Sequence, residues 1–181
     1  MPAMNFSHDY LPLESSGPVY IGGLTAFENI NARILEQYRR LSLNDQLKRT
    51  HFFMGRFENT YIPAQQIPAI QAVLEMGRFY ARQILTEDVD QMKMGFWFNE
   101  MKPGHETSLH THEEYDEKLS AVYYIQSTAD SGDLIIHEED KQLPFAPEAG
   151  RMILFAPEVP HHVEKNTSSI LRLSVALNFG Y

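Results

Sequence analysis

Five of the eight histidines fall in two tight groups: His105, His110 and His112, then the adjacent His161 and His162. Imidazole is a strong ligand for first-row transition metals, and with no cysteine in the chain any metal must be held by histidine and carboxylates. His110 and His112 stand in H-x-H spacing shortly before an apolar run at residues 119–125. In an extended segment, residues i and i+2 point to the same side, so both rings can converge on one ion. A histidine of the second group, brought alongside on a neighbouring strand, can supply a third nitrogen. Three ligands on one face with open positions opposite describe an iron centre that admits substrate and oxygen. The isolated His8, His51 and His137 read instead as solvated loop residues.

Such a site needs strands to hold it, and the second half of the chain supplies them. "GFWFNEM", "LSAVYYIQ", "GDLIIHEE", "GRMILFAP" and "SILRLSVALNF" are short β-branched or aromatic runs separated by Gly, Pro, Asp and Asn. Strands at near-regular spacing without helices between them predict an antiparallel sandwich or barrel. The first half reads mostly helical. "TAFENINARILEQYRRL" carries Phe27, Ile30, Ile34 and Tyr38 at helical spacing behind Thr25 as N-cap. "IPAIQAVLEMGRFYARQIL" places Ile67, Ile70, Val73, Leu74 and Phe79 on one stripe, with Pro68 near its start. Between them, "HFFMGRFENTYIP" alternates and predicts a strand or extended arm. The expected architecture is one domain over 1–181, mainly β with supporting helices. Residues 1–90 form a mostly helical support, and residues 91–181 form a jelly-roll core.

Composition narrows the function. The net charge of −9 and the lack of any Lys/Arg run argue against a nucleic-acid surface. No apolar stretch approaches the ~20 residues of a membrane span. The N-terminal "MPAMNFSHDYLPLESSGP" lacks the basic start and apolar centre of a signal peptide, so a cytoplasmic protein is expected. Oligomeric state is left open, a homodimer included.

From Trp97 onward the chain resembles the 2-oxoglutarate/Fe(II)-dependent oxygenases, most of all the small bacterial and phage branch related to prolyl hydroxylases. The resemblance lies in the order and spacing of "WFNEMKPG", "LHTH", "LSAVYYI", "SGDLIIHEED", "PEAGRMILFAPEVPHHVEKN" and "LRLSVALNF", about half the chain. It implies a double-stranded β-helix, a cupin-like barrel, with Fe(II) as cofactor and 2-oxoglutarate as co-substrate. It further implies hydroxylation of a small-molecule or peptide substrate by O2. By the same resemblance His161, in "HHV", is the distal metal ligand, and Arg172 binds the distal carboxylate of 2-oxoglutarate. Physical chemistry agrees, because a guanidinium grips a carboxylate through two parallel hydrogen bonds. In "RLSVALNF" Arg172, Ser174, Ala176 and Asn178 share one strand face; Leu173, Val175, Leu177 and Phe179 share the other. Tyr124 is the matching phenol for the same carboxylate. Trp97, Asn99 and Asn178 are candidates for the pocket wall.

One departure bears on the ligands. The family's usual triad is H-x-D or H-x-E with a distal His, whereas here the pair reads His110-Thr111-His112. Either the metal ligands are His110, His112 and His161, or the triad starts at His112 and takes Glu114 as its carboxylate. Both obey the i, i+2 rule. The three-histidine set is the expectation, with Glu114 as its alternative. The acidic stretch 113–118 reads as a loop at the barrel mouth.

A competing assignment uses cupin motifs: Gly104, His110, His112 and Glu117, then His162 with Asn166, for a metal-dependent dioxygenase or isomerase without 2-oxoglutarate. Tyr124 and Val159 stand where that pattern needs glycine, and Arg172 has no task in it. A non-catalytic β-barrel binding protein is the third alternative.

Overall fold

A computed structural model of the chain describes residues 9–13, 17–44, 46–112 and 116–181, the first of these stretches by its backbone. In chain order its elements are β1 (Asp9–Leu13), β2 (Gly17–Gly23), α1 (Glu28–Leu41), β3 (Lys48–Phe53), β4 (Arg56–Tyr61) and α2 (Gln71–Ile84). There follow β5 (Lys93–Met101), β6 (Glu117–Gln126), β7 (Leu134–Glu138), β8 (Lys141–Phe145), β9 (Arg151–Phe155), β10 (His161–Val163) and β11 (Arg172–Gly180). Eight strands form one antiparallel sheet in the order β1-β2-β9-β6-β11-β5-β4-β3, and β10-β7-β8 form a second. This is a double-stranded β-helix with a layer of helices on its larger sheet.

Period-2 alternation gives each central strand two apolar faces and so divides the core. Phe98 of β5, Leu119, Ala121 and Tyr123 of β6, Met152 and Leu154 of β9, and Leu173, Val175, Leu177 and Phe179 of β11 turn outward. They form one cluster with Ile34 and Tyr38 of α1 and Val73, Leu74, Met76 and Tyr80 of α2. The opposite faces contribute Val19, Tyr124, Ile153 and Phe155, which pack between the sheets against Leu134, Ile136 and Phe145. The division of β11 expected from its sequence is therefore the one found.

The helices are held by specific contacts as well as by apolar burial. Asn31, 5% exposed, donates to the carbonyls of Tyr124 and Ile125 and accepts from the Tyr123 hydroxyl at 2.7 Å. Gly77 lets α2 lie close to β11, since a Cβ there would sit 3.0 Å from Leu177. Pro68 opens a short 3-10 turn that leads into α2 at Gln71.

Two expectations need amending. α1 starts at Glu28 with Phe27 in the cap position and no side-chain cap, and Thr25 lies in the turn before it. Residues 1–90 also contain four strands, β1 to β4, two at each edge of the large sheet. β1 and β2 are rich in Gly and Pro and too short for periodicity to reveal. Pairing with β9, more than 100 residues away, makes β2 a strand, and β1 adds to its free edge. No helix among the described residues is long and apolar enough to cross a membrane.

Candidate metal centre and co-substrate site

The segment 104–112 is zipped antiparallel to the segment that carries β10. Its backbone bonds run from Gly104 to Asn166, from Thr107 to Val163 and from His112 to Pro157, and His110 and His161 exchange both of theirs at 3.0 Å. This pairing sets the two histidine groups face to face. His110, His112 and His161 bring one ligand nitrogen each to within 4.8 Å of one another. Their ring centroids are separated by 4.4 to 5.0 Å.

Two of the rings are oriented by the backbone. Nδ1 of His110 lies 2.8 Å from the carbonyl oxygen of Ser108, and Nδ1 of His161 lies 2.8 Å from that of Val159. A carbonyl only accepts, so each Nδ1 carries the proton and leaves Nε2 a free lone pair, the tautomer a metal needs. Burial, with His110 and then His51 adding to it, lowers the pKa of His112 to about 3. Burial, with His110 and His112 beside it, likewise holds His161 well below the ordinary range. Both rings are neutral donors at physiological pH. Trp97 packs on His112 and Phe155 edge-on to His161, giving the cluster apolar walls.

The same cavity is walled by Arg172, which is 1% exposed. Its Nη1 touches only the sulfur of Met101 at 3.4 Å, its Nε and Nη2 have no hydrogen-bond partner, and neither does the buried hydroxyl of Tyr124. The guanidinium lies over the Tyr124 ring, 5.2 Å from its centroid. Burial pushes the guanidinium pKa down, with Tyr124 and Asp133 opposing it. A buried cation with unused donors in the wall of a cavity is costly unless an anion completes it. A dicarboxylate has the right chemistry: one end for the metal, the other for Arg172. The residues present thus fit both Fe(II) and 2-oxoglutarate.

The remaining candidates divide. Trp97 and Asn99, on the inward face of β5, line the cavity. Asn99 donates to the carbonyl of Glu58 and to Oδ1 of Asn59. Tyr124 lies beside Arg172 but belongs to the core between the sheets. Asn178 is on the inward face too, but two strand positions further along, where it accepts a hydrogen bond from Ser120 and does not reach the cavity wall. Glu114 lies outside the described residues.

The cupin set is not brought together. His162, next to His161 in a strand, faces the other way and meets Nε2 of His137 at 2.8 Å. Asn166 is fully occupied as a loop anchor on Met101, Ile170 and Ser168. His137 is therefore not a solvated loop residue, since it pairs with His162; His51 is exposed, as expected, but sits in strand β3, where it borders the cavity and contacts Asn59.

Sequence reasoning missed the contribution of the β3–β4 hairpin, where His51, Glu58 and Asn59 join the cavity wall. The available signal was an imidazole, a carboxylate and an amide, His51, Glu58 and Asn59, set among the alternating aromatic residues of "HFFMGRFENTYIP".

Residues 96–180 match the model of the 2OG-Fe(II) oxygenase superfamily. Comparison with curated proteins gives no match. Among solved structures, the chain is similar to a Pseudomonas putida prolyl-4-hydroxylase, with 20% identity, a TM-score of 0.68 and coverage of 92% of this chain and 94% of that one. It is similar to a prolyl hydroxylase from Trichoplax adhaerens in complex with a hypoxia inducible factor peptide fragment, at 14% identity, TM-score 0.69 and coverage of 90% and 83%. It is also similar to the epimerase SnoN in complex with Fe3+, alpha ketoglutarate and nogalamycin RO, at 12% identity, TM-score 0.66 and coverage of 90% and 78%. Those three likenesses establish the shared fold. The family match covers residues 96–180, from β5 to β11, and over that stretch the chain is similar to the 2OG-Fe(II) oxygenase superfamily.

Proposed function

We propose that the chain, acting as one domain, hydroxylates a C–H bond of a small-molecule or peptide substrate. His110, His112 and His161 hold Fe(II), and Arg172 anchors the distal carboxylate of 2-oxoglutarate. The observation that carries this is the buried guanidinium of Arg172, two of whose nitrogens have no hydrogen-bond partner, in the same cavity as the three-histidine cluster.

Bound Fe(II) with 2-oxoglutarate and O2 supplies the oxidising power, one oxygen atom going to the substrate and the other to succinate, with release of carbon dioxide. The chain supplies position and exclusion of water. Ser108 and Val159 hold two imidazoles in the metal-binding tautomer. Trp97 and Phe155 shield the reacting space, and the planar fork of Arg172 fixes one orientation of the dicarboxylate. Asn99, Asn59 and His51 form a hydrogen-bonded polar wall on the side of the β3–β4 hairpin. The hairpin also exposes Phe52, Met54 and Phe57, and Leu109 is exposed on the ligand-bearing segment. Exposed apolar side chains beside a cavity support a substrate contact there. Two similar structures hold a peptide fragment and nogalamycin RO respectively, which supports keeping both substrate classes.

Anaerobic addition of Fe(II) and then 2-oxoglutarate tests the assignment. A weak visible charge-transfer band is expected only with both present, and His110→Ala or His161→Ala abolishes it. Glu114→Ala is expected to leave it intact. Iron binding that survives loss of His110 and disappears with Glu114 would shift the ligand register to His112 and Glu114.

A further inference from the structure

Glu58 sits in the middle of β4, 5% exposed, and in the cavity wall. Both of its carboxylate oxygens go to one residue. Ser108 donates its backbone N–H to Oε1 at 3.0 Å and its hydroxyl to Oε2 at 2.9 Å. The carbonyl of that same Ser108 accepts the Nδ1–H of His110 at 2.8 Å. The neighbouring Arg56 ties down the same segment by donating to the carbonyl of Glu106 at 2.6 Å, and it stands 3.9 Å from Glu58.

Burying a carboxylate costs several kcal/mol unless charge and hydrogen bonds offset it. An apolar residue would serve a packing role at this position without that cost. A carboxylate here does two further things. It fixes Ser108 at two points, so that the Ser108 carbonyl is aimed at His110. It also places a negative charge in the wall of a site whose candidate ligands, among the described residues, are three imidazoles and no carboxylate. In such a site the divalent charge is uncompensated until an anion arrives, and its attraction to a nearby carboxylate is strong in a dry cavity.

We propose that Glu58 is a positioning residue for the metal: through Ser108 it orients His110, and it supplies the carboxylate that the three-histidine set lacks. The proposal rests on the metal assignment above. Outer groups that orient a ligating imidazole typically change metal affinity by about 10–100-fold when removed.

The test is anaerobic calorimetric titration of the full-length apoprotein with Fe(II), with the absorption spectrum of the Co(II)-loaded protein as a second readout. Glu58→Gln keeps the size of the side chain; its Oε1 still accepts the Ser108 N–H and its Nε2 donates to the Ser108 hydroxyl, which turns to accept, so the charge goes while both contacts to Ser108 are kept. It is expected to bind Fe(II) about tenfold more weakly. Glu58→Ala also frees Ser108; it is expected to lose up to about 100-fold and to alter the intensity of the Co(II) bands. If Glu58→Ala does not fold, Glu58→Gln still decides the part played by the charge, and Ser108→Ala, which loses the hydroxyl contact to Glu58, the part played by the tether. Variants that bind Fe(II) as tightly as the wild type, with an unchanged Co(II) spectrum, would overturn the role of Glu58 while leaving the metal site standing. A wild-type protein that takes up neither metal would instead overturn the metal assignment itself.

Discussion

Replacing Arg172 by Met separates a structural arginine from a co-substrate anchor, because the two roles predict opposite signs. The methionine side chain has similar length and no charge. Arg172 is 1% exposed, two of its three guanidine nitrogens lack a partner, and the third reaches only the Met101 sulfur. In the protein without 2-oxoglutarate, substitution therefore removes a buried cation and breaks no ion pair at hydrogen-bond distance. Replacing buried charges by apolar groups of similar volume is neutral or stabilising by about 1–4 kcal/mol. Even about 1 kcal/mol raises the melting midpoint by about 2–4 °C for a chain of this size. Binding of 2-oxoglutarate should move the other way. Losing one partner of a buried, hydrogen-bonded charge pair costs about 2–5 kcal/mol, so affinity falls by at least about 30-fold. Thermal unfolding of the apoprotein, together with anaerobic 2-oxoglutarate titration of the Fe(II) form, measures both. A lower midpoint with unchanged 2-oxoglutarate affinity would refute the reasoning.

Two further outcomes follow from buried polar groups. His112 is held at about 3, against about 6.5 in the unfolded chain, so below 6.5 the unfolded state binds a proton that the folded state refuses. The apoprotein then loses about 1.4 kcal/mol per pH unit from this group, roughly 2 kcal/mol between pH 6.5 and 5, and gains nothing from it above pH 6.5. Urea unfolding at pH 7.5 and 5.0 should show this loss and show it reduced in His112→Gln; an equal loss in the variant would contradict it. Asn31→Ala removes the partner of the Tyr123 hydroxyl and of the Ile125 carbonyl, while the Tyr124 carbonyl keeps the Gly150 N–H, at a cost of about 2–4 kcal/mol. The midpoint in urea should fall accordingly without changing Fe(II) affinity, since Asn31 contacts only the outer face and backbone of β6.

Local pattern carries far in this protein where the physics is local. Alternation along "RLSVALNF" already assigns Leu173, Val175, Leu177 and Phe179 to one face and Arg172 to the other, because strand side chains alternate whatever surrounds them. The same rule makes His110 and His112 neighbours on one side. It fails where a strand owes its existence to a distant partner. β1 and β2 carry little intrinsic signal, and β2 is ordered by pairing with β9. Nor does it say how far the cavity extends: at the end of β11 Asn178 shares a face with Arg172 and accepts from Ser120, a residue of the cavity wall, without lining the cavity itself.

By itself the sequence determined the mainly β architecture, the H-x-H pair and the polar face that bears Arg172. Tertiary structure decided which of two adjacent histidines completes the cluster. The pairing of His110 with His161 turns that ring inward and sends His162 to His137. It also decided that Glu58, some 50 residues from His110, stands behind that ligand, and that Arg172 lies buried with two of its nitrogens unpartnered. Periodicity tells which way a side chain points from its own backbone. Only the register between strands far apart in the chain tells what it meets there.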